Sequence, residues 1–395
     1  MFFLYLTLFW LPFSVDVLTF ELVGGTWTLF ILGVAFLLPT AMISYLSRVT
    51  RMNTSVDFYL LSICFLYLIH LFFVDDVSAS AYKAIHGVII PMATYFLLKG
   101  MVVTEKGYVS SVRALVFGFS VFSVFYVLEI YRTGFGVRID VFDRDAISVG
   151  AFSVFVIVFS LYTNLFKGWV KWFLILLNSL SLMGTLSRAY MVTVAVSPVF
   201  NRFVSGRSVC RVYTLFMIVT LFFSVFFVFN SSFFKPSGWD PKLENSLERL
   251  TNIDYWKNGV YGRLKTFEPS VEKFVDKPVF GNGFSSAKNS STVHNFHLEW
   301  LEFGGAVGYV LFFMVFYSHF NRVSKFFYND KYLVVSSYYM LFMFVNGLMN
   351  GVMHGVMPYM LFCVLGLGEA RIQLLSVVRG KEAMAYKKTL ISEAA

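Results

Sequence analysis

Long apolar runs broken by short polar segments fill this chain from end to end. A bilayer crossing takes roughly 20 apolar residues, somewhat fewer where its ends are anchored, and on that measure the pattern predicts about twelve membrane helices. They lie near 1–15, 24–45, 56–74, 84–98, 114–131, 147–166, 169–186, 189–204, 212–230, 296–320, 332–348 and 352–368. The seventh and eighth are short and meet at Gly184-Thr185-Leu186-Ser187-Arg188 with almost no loop. Met1 to Phe13 is apolar from its first residue, with no basic leader and no small-residue cleavage site. It therefore reads as a short first span rather than a cleaved signal.

The basic residues alternate with these runs. One set of loops holds Arg48 and Arg51; Lys99, Lys106 and Arg113; Lys167 and Lys171; Arg202, Arg207 and Arg211; Arg322, Lys325 and Lys331; and the tail adds Arg371, Arg379, Lys381, Lys387 and Lys388. The intervening short loops hold Asp16 and Glu21, then Asp75, Asp76 and Lys83, then a mixed set from Arg132 to Asp145. Short loops rich in Lys and Arg stay in the cytoplasm. Both termini are thus expected there, with residues 231–293 outside. That long segment carries Trp239, Tyr255, Trp256, Tyr261, Phe267, Phe274 and Phe280, too much apolar surface for a disordered linker. Leu264, Phe267, Val271 and Phe274 recur at helical spacing, and Val279-Phe280-Gly281-Asn282-Gly283-Phe284 reads as a tight glycine turn. The expected architecture is an all-α polytopic membrane protein, residues 1–395 forming one domain with one large outer loop.

Composition agrees. Hydrophobic residues make up 57% and charged residues only 14%, and the mean hydropathy is +0.69, outside the range of soluble domains. The net charge of +9 is spread over loops, without a basic block interleaved with aromatics, so it reflects orientation in the membrane and not a nucleic-acid partner. Cys64, Cys210 and Cys363 sit in or beside apolar runs with no CxxC, which argues against disulfides and structural zinc.

Candidate chemistry concentrates at Thr292 to Gly308, where His294-Asn295 closes a polar segment and opens an apolar run that carries Glu299 and Glu302 in its first turns. Titratable groups are costly near hydrocarbon and mark function. His294 and His297 are three apart but lack a third ligand at metal-site spacing, so no metal is expected. Glu299 and Glu302 either orient His294 or bind ligand hydroxyls, or else simply complement the positive helix start. The span centres are nearly free of charge, Glu129 and Arg188 falling at outer ends. An ion-coupled transporter buries such groups at mid-membrane. Arg132, Arg138, Arg144, Arg188 and Arg263 instead gather with His294 at one face, which suits an oxyanion or diphosphate ligand, because guanidinium binds phosphate in a bidentate way at any pH.

These residues resemble a known family. His294-Asn295, nine residues, Gly305, two residues and Gly308 resemble the signature of the bacterial O-antigen polymerase and O-antigen ligase superfamily. Thr185-Leu186-Ser187-Arg188 is similar to its Ser-Arg step between two helices, and Pro278-Val279-Phe280-Gly281-Asn282-Gly283 to its Pro-x-x-Gly-x-Gly turn. The resemblance covers roughly residues 130 to 320. It implies a GT-C-type membrane glycosyltransferase of the bacterial inner membrane, working at the periplasmic face without a cofactor. The donor would be an undecaprenyl-diphosphate-linked oligosaccharide and the acceptor a glycan or lipid A-core, with membrane lipid, a chain-length regulator and a flippase as partners. By position, Arg188 and Arg263 would hold the donor diphosphate and His294 would serve the acceptor hydroxyl. Asn295, Glu299, Glu302, Arg138 and Arg144 would support them, with Gly281, Gly283, Gly305 and Gly308 shaping the turn and helix packing. Some polymerases of the family carry Arg, ten residues, Gly in an outer loop; here Arg138 and Gly150 have eleven between them. Polymerase leads, ligase is the alternative within the family, and a lipid-glycan flippase or a non-catalytic scaffold are the alternatives outside it.

Overall fold

A computed structural model describes residues 1–13, 19–22, 25–46, 54–74, 77–133, 146–185, 187–203, 211, 215, 218, 267, 269–283, 295–326, 330–347 and 357–394. In chain order these form α1 (Phe2–Phe9), a 3-10 turn (Leu11–Phe13), β1 (Thr19–Leu22), β2 (Gly25–Thr28), α2 (Leu29–Leu46), α3 (Ser55–His70) and α4 (Val77–Ala84). A π-helical turn (Ile85–Ile89) leads into α5 (Ile90–Met101), followed by α6 (Glu105–Thr133), α7 (Ala146–Tyr162), α8 (Gly168–Gly184) and α9 (Arg188–Phe203). After the long segment come α10 (Phe296–Val323), α11 (Lys331–Asn346) and α12 (Met357–Ala394). The predicted span near 212–230 and most of the long segment lie outside the described residues.

Among the described residues the helical reading holds with one correction before α2. The acidic loop after α1 is an antiparallel hairpin, Thr19 opposite Thr28 and Leu22 opposite Gly25; its Thr, Phe and Trp side chains favour a pleated surface. The basic tail continues α12 as helix to Ala394. Among the described residues, three helices are long and apolar enough to cross a membrane: Glu105–Thr133, Phe296–Val323 and Met357–Val378. Apolar side chains also cover faces that touch no protein. Phe58, Leu61 and Phe65 on α3 and Trp169, Trp172, Phe173 and Leu176 on α8 are exposed, far more contiguous apolar surface than water tolerates. This is the build of an α-helical membrane protein. Behind those faces α6 turns Val112, Phe119 and Phe122 inward, Phe119 stacking on Phe152 of α7 at 4.7 Å.

A layer of buried charge closes one end of the helix bundle. Thr54 and Asp57 form a capping box that starts α3, and the same Asp57 carboxylate takes the Lys99 ammonium from α5 at 2.6 Å, with Tyr95 donating to its other oxygen at 2.7 Å. Nearby, Glu369 of α12 accepts from His319 of α10 at 2.8 Å and pairs with Arg322. Arg371 binds Asp330 at 2.8 Å and also pairs with Glu105, which ties α12 to α11 and α6. Lys99, assigned above to a loop, is thus wholly buried, as are His319 and Glu369. The correction has a simple cause: the helices run past the apolar stretches, and their terminal charges turn inward to one another. Removing one partner of such a pair leaves the other charge buried, at a cost of about 3–5 kcal/mol. Asp57→Ala is therefore expected to lower the unfolding midpoint of detergent-purified protein sharply, with Asp57→Leu/Lys99→Met recovering most of the loss. Equal melting of Asp57→Ala and the unsubstituted protein would show that this pair holds nothing.

Candidate functional site

The predicted helix over 296–320 is folded in two. Gly305 sits at φ 60°, ψ −165° inside α10, a conformation essentially confined to glycine. Residues 296–304 consequently turn back against 306–323. Phe296 and Phe312 would stand about 24 Å apart along a straight helix, yet their rings are 4.8 Å apart, and Trp300 lies 4.3 Å from Phe312. The His297 ring nitrogen Nδ1 meets the Tyr309 hydroxyl at 2.9 Å. Residues 306–323 make about 27 Å of helix, and 296–304 is a short re-entrant helix, one that folds back beside it.

A broken helix exposes backbone groups that must be satisfied where water is absent. The glycine turn does this. Ala306 donates its N–H to the Pro278 carbonyl at 2.8 Å and Val307 to that of Val279 at 3.0 Å, while Asn282 donates to the Glu302 carbonyl at 2.9 Å. The approach leaves no room for side chains. A Cβ on Gly281 would lie 2.4 Å from the Gly305 nitrogen, and one on Gly305 would lie 2.5 Å from both the Gly281 nitrogen and the Val279 oxygen. Two glycines of the sequence signature therefore meet backbone to backbone. Gly283 rests on His70 at the end of α3, and Gly308 faces Leu66 of the same helix.

The polar residues divide their work. Asn295 caps the re-entrant helix, its Oδ1 accepting from the His297 and Leu298 amides at 3.0 and 3.1 Å. Capping is thus done by Asn295, with Glu299 adding a favourable charge in the first turn. Glu302, wholly buried, accepts from Ser270 at 2.6 Å and Lys273 at 3.0 Å. It anchors the short helix over 269–276 to α10, a role the sequence reading did not assign. Lys83 lies close enough to feel this carboxylate. Burial lowers the pKa of its ammonium, an effect that Glu302 opposes and Lys273 reinforces. Glu299 is buried near Tyr67 of α3. His297, weighed above as a metal partner of His294, is enclosed in the fold of α10 and bound to Tyr309. No group of three or more His, Cys, Asp or Glu able to hold a metal occurs among the described residues.

The start of α9 and the Asn295 end of the re-entrant helix are linked through the end of α11. Arg188 is the first residue of α9, and two residues on, the Tyr190 hydroxyl accepts from Asn346 Nδ2 at 2.7 Å. Asn346 ends α11, and the next residue, Gly347, accepts the Phe296 amide at 2.7 Å. Phe296 follows Asn295, the partner of His294 in the motif. The start of α9, the end of α11 and the start of the re-entrant helix are hence joined by two hydrogen bonds. His294, Arg263, Arg138 and Arg144 lie outside the described residues. Tyr190, Asn346, Gly347, Ser270 and Lys273 were not anticipated; only the helical spacing around Lys273 hinted at its place. No protein-family model matches the chain, and neither does any curated protein.

Proposed function

We propose that this chain is an inner-membrane glycosyltransferase that moves an oligosaccharide from undecaprenyl diphosphate to a glycan acceptor, as a surface-polysaccharide (O-antigen) polymerase. In this reading it crosses the membrane about twelve times, keeps both termini in the cytoplasm and works at the periplasmic face. The observation that carries the reading is the bridge from the Arg188 end of α9, through Asn346 and Gly347, to the segment that begins with His294-Asn295. It supports the reading by joining the helix start that carries Arg188 to the helix whose cap, Asn295, follows His294 in sequence.

That pairing suits transfer from a lipid diphosphate. The acceptor hydroxyl oxygen attacks the anomeric carbon, the bond from that carbon to the phosphate oxygen breaks, and undecaprenyl diphosphate departs with the electron pair. Attack from the opposite face inverts the anomeric centre. Charge grows on the leaving phosphate, so Arg188 and Arg263, with the amides that open α9, lower the barrier there. His294 takes the hydroxyl proton. The buried charges at the far end of the bundle are paired with one another, which favours a closed scaffold over a transporter with a mid-membrane ion path.

The spacing of the His motif also fits a ligase, whose donor chemistry is the same. A strain lacking the chain separates the two by gel analysis of its surface glycan. Core carrying a single repeat is the result expected for a polymerase; bare core with long polymer still on the lipid carrier identifies a ligase. An unchanged glycan profile would refute both.

A further inference from the structure

Tyr190 stands at an unusual junction. It is fully buried, its ring meets Phe342 of α11 edge-on at 5.3 Å, and its hydroxyl takes the Asn346 amide at 2.7 Å. On the other side lies Gly150 of α7: a Cβ there would come within 2.5 Å of the ring's Cδ2 and 2.9 Å of Cε2. Asn346 is itself buried, and Gly347 approaches the re-entrant helix so closely that a Cβ on it would lie 2.8 Å from the Phe296 Cβ. α9 packs on α7 and α11, so the α11 end is a direct route by which the start of α9 is set relative to Asn295.

We infer that Tyr190 and Asn346 are positioning residues that set the separation between the start of α9 and the Asn295 end of the re-entrant helix; this rests on the transferase reading above, in which Arg188 and His294 act together. Neither need touch substrate. Tyr190 keeps α9 in register with α11 through a hydrogen bond between two buried side chains, which is stronger than the same bond in water. Gly347 passes that register to the re-entrant helix. Gly150 is small because any side chain there displaces the Tyr190 ring.

A misplaced pair of half-sites binds donor normally and fails in the transition state, since a displacement of about 1 Å costs up to about 100-fold in rate. The test uses detergent-purified full-length protein and, as substrate probe, the lipid-linked glycan extracted from a strain lacking the chain. Release of undecaprenyl diphosphate is followed by mass spectrometry. Tyr190→Phe and Asn346→Leu are each expected to lower kcat by about tenfold while donor KM changes less than about twofold. Gly150→Ala should act in the same direction although alanine is the better helix former. The decisive readout is coupling: Tyr190→Phe should cost almost nothing further in a His294→Ala background. Additive losses, a rise in KM alone, or full activity of Tyr190→Phe while His294→Ala is inactive would overturn the positioning role and leave the transferase reading standing. Full activity of His294→Ala would bring down both.

Discussion

Cells whose only copy carries His294→Ala, or Arg188→Ala, are expected to lose long-chain surface glycan and to accumulate lipid-linked glycan. The two substitutions remove different parts of one step. Taking away a general base costs about 10²–10⁴-fold in rate. Losing a charged donor to the developing phosphate charge costs about 10²–10³-fold. Either loss far exceeds what chain growth tolerates, so both should approach the deletion phenotype, provided immunoblots show normal amounts of protein. The pair should also be less than additive, because each group acts on the same transition state. Normal polymer from both variants would remove the histidine and arginine from the chemistry.

The second large effect is expected at Gly305. In Gly305→Ala, an L side chain is forced into φ 60°, ψ −165°, a strain of about 1–3 kcal/mol. The new Cβ would lie 2.5 Å from the Gly281 nitrogen and from the Val279 oxygen. Both are backbone atoms and cannot step aside, which adds about 1–3 kcal/mol of overlap. Relief requires the turn to lift away, breaking the bonds from Ala306, Val307 and Asn282 that satisfy the helix break. Gly305→Ala should therefore show a sharply reduced folded fraction and no activity. Gly308→Ala is the control, since its Cβ would meet only the flexible end of Leu66 at 3.3 Å. Equal unfolding midpoints for the two variants, by fluorescence-detected chromatography after heating, would mean that the fold at Gly305 is not what holds the turn.

These two cases also mark how far the chain could be read without its structure. Pro278 to Gly283 was recognisable as a turn, and Gly305 as a helix glycine. What could not be read was that they touch, since their contact is made by backbone atoms and leaves no side-chain pattern. For the same reason α10 looked like one span. Apolar residues continue on both sides of Gly305, and composition does not record a single positive φ. Lys99 was misplaced because a charge at the end of an apolar run has two outlets, solvent or a buried partner, and Asp57 lies 42 positions away. Glu302 stood out as a carboxylate in an apolar run, but its anchoring partners Ser270 and Lys273 lie 32 and 29 positions earlier in the chain. Asn295 as a helix cap needed only the local rule that Asn favours such positions, whereas Tyr190 and Asn346, 156 positions apart, carry no local signal.

The measurement that bears most directly on the proposed chemistry is made with purified protein in lipid vesicles, supplied with lipid-linked glycan from the deletion strain. Transfer predicts free undecaprenyl diphosphate and a glycan lengthened by one repeat in equal amounts, with both products lost in the His294→Ala protein. Vesicles that move the lipid-linked glycan between leaflets but release no undecaprenyl diphosphate would contradict the account and make the chain a transporter.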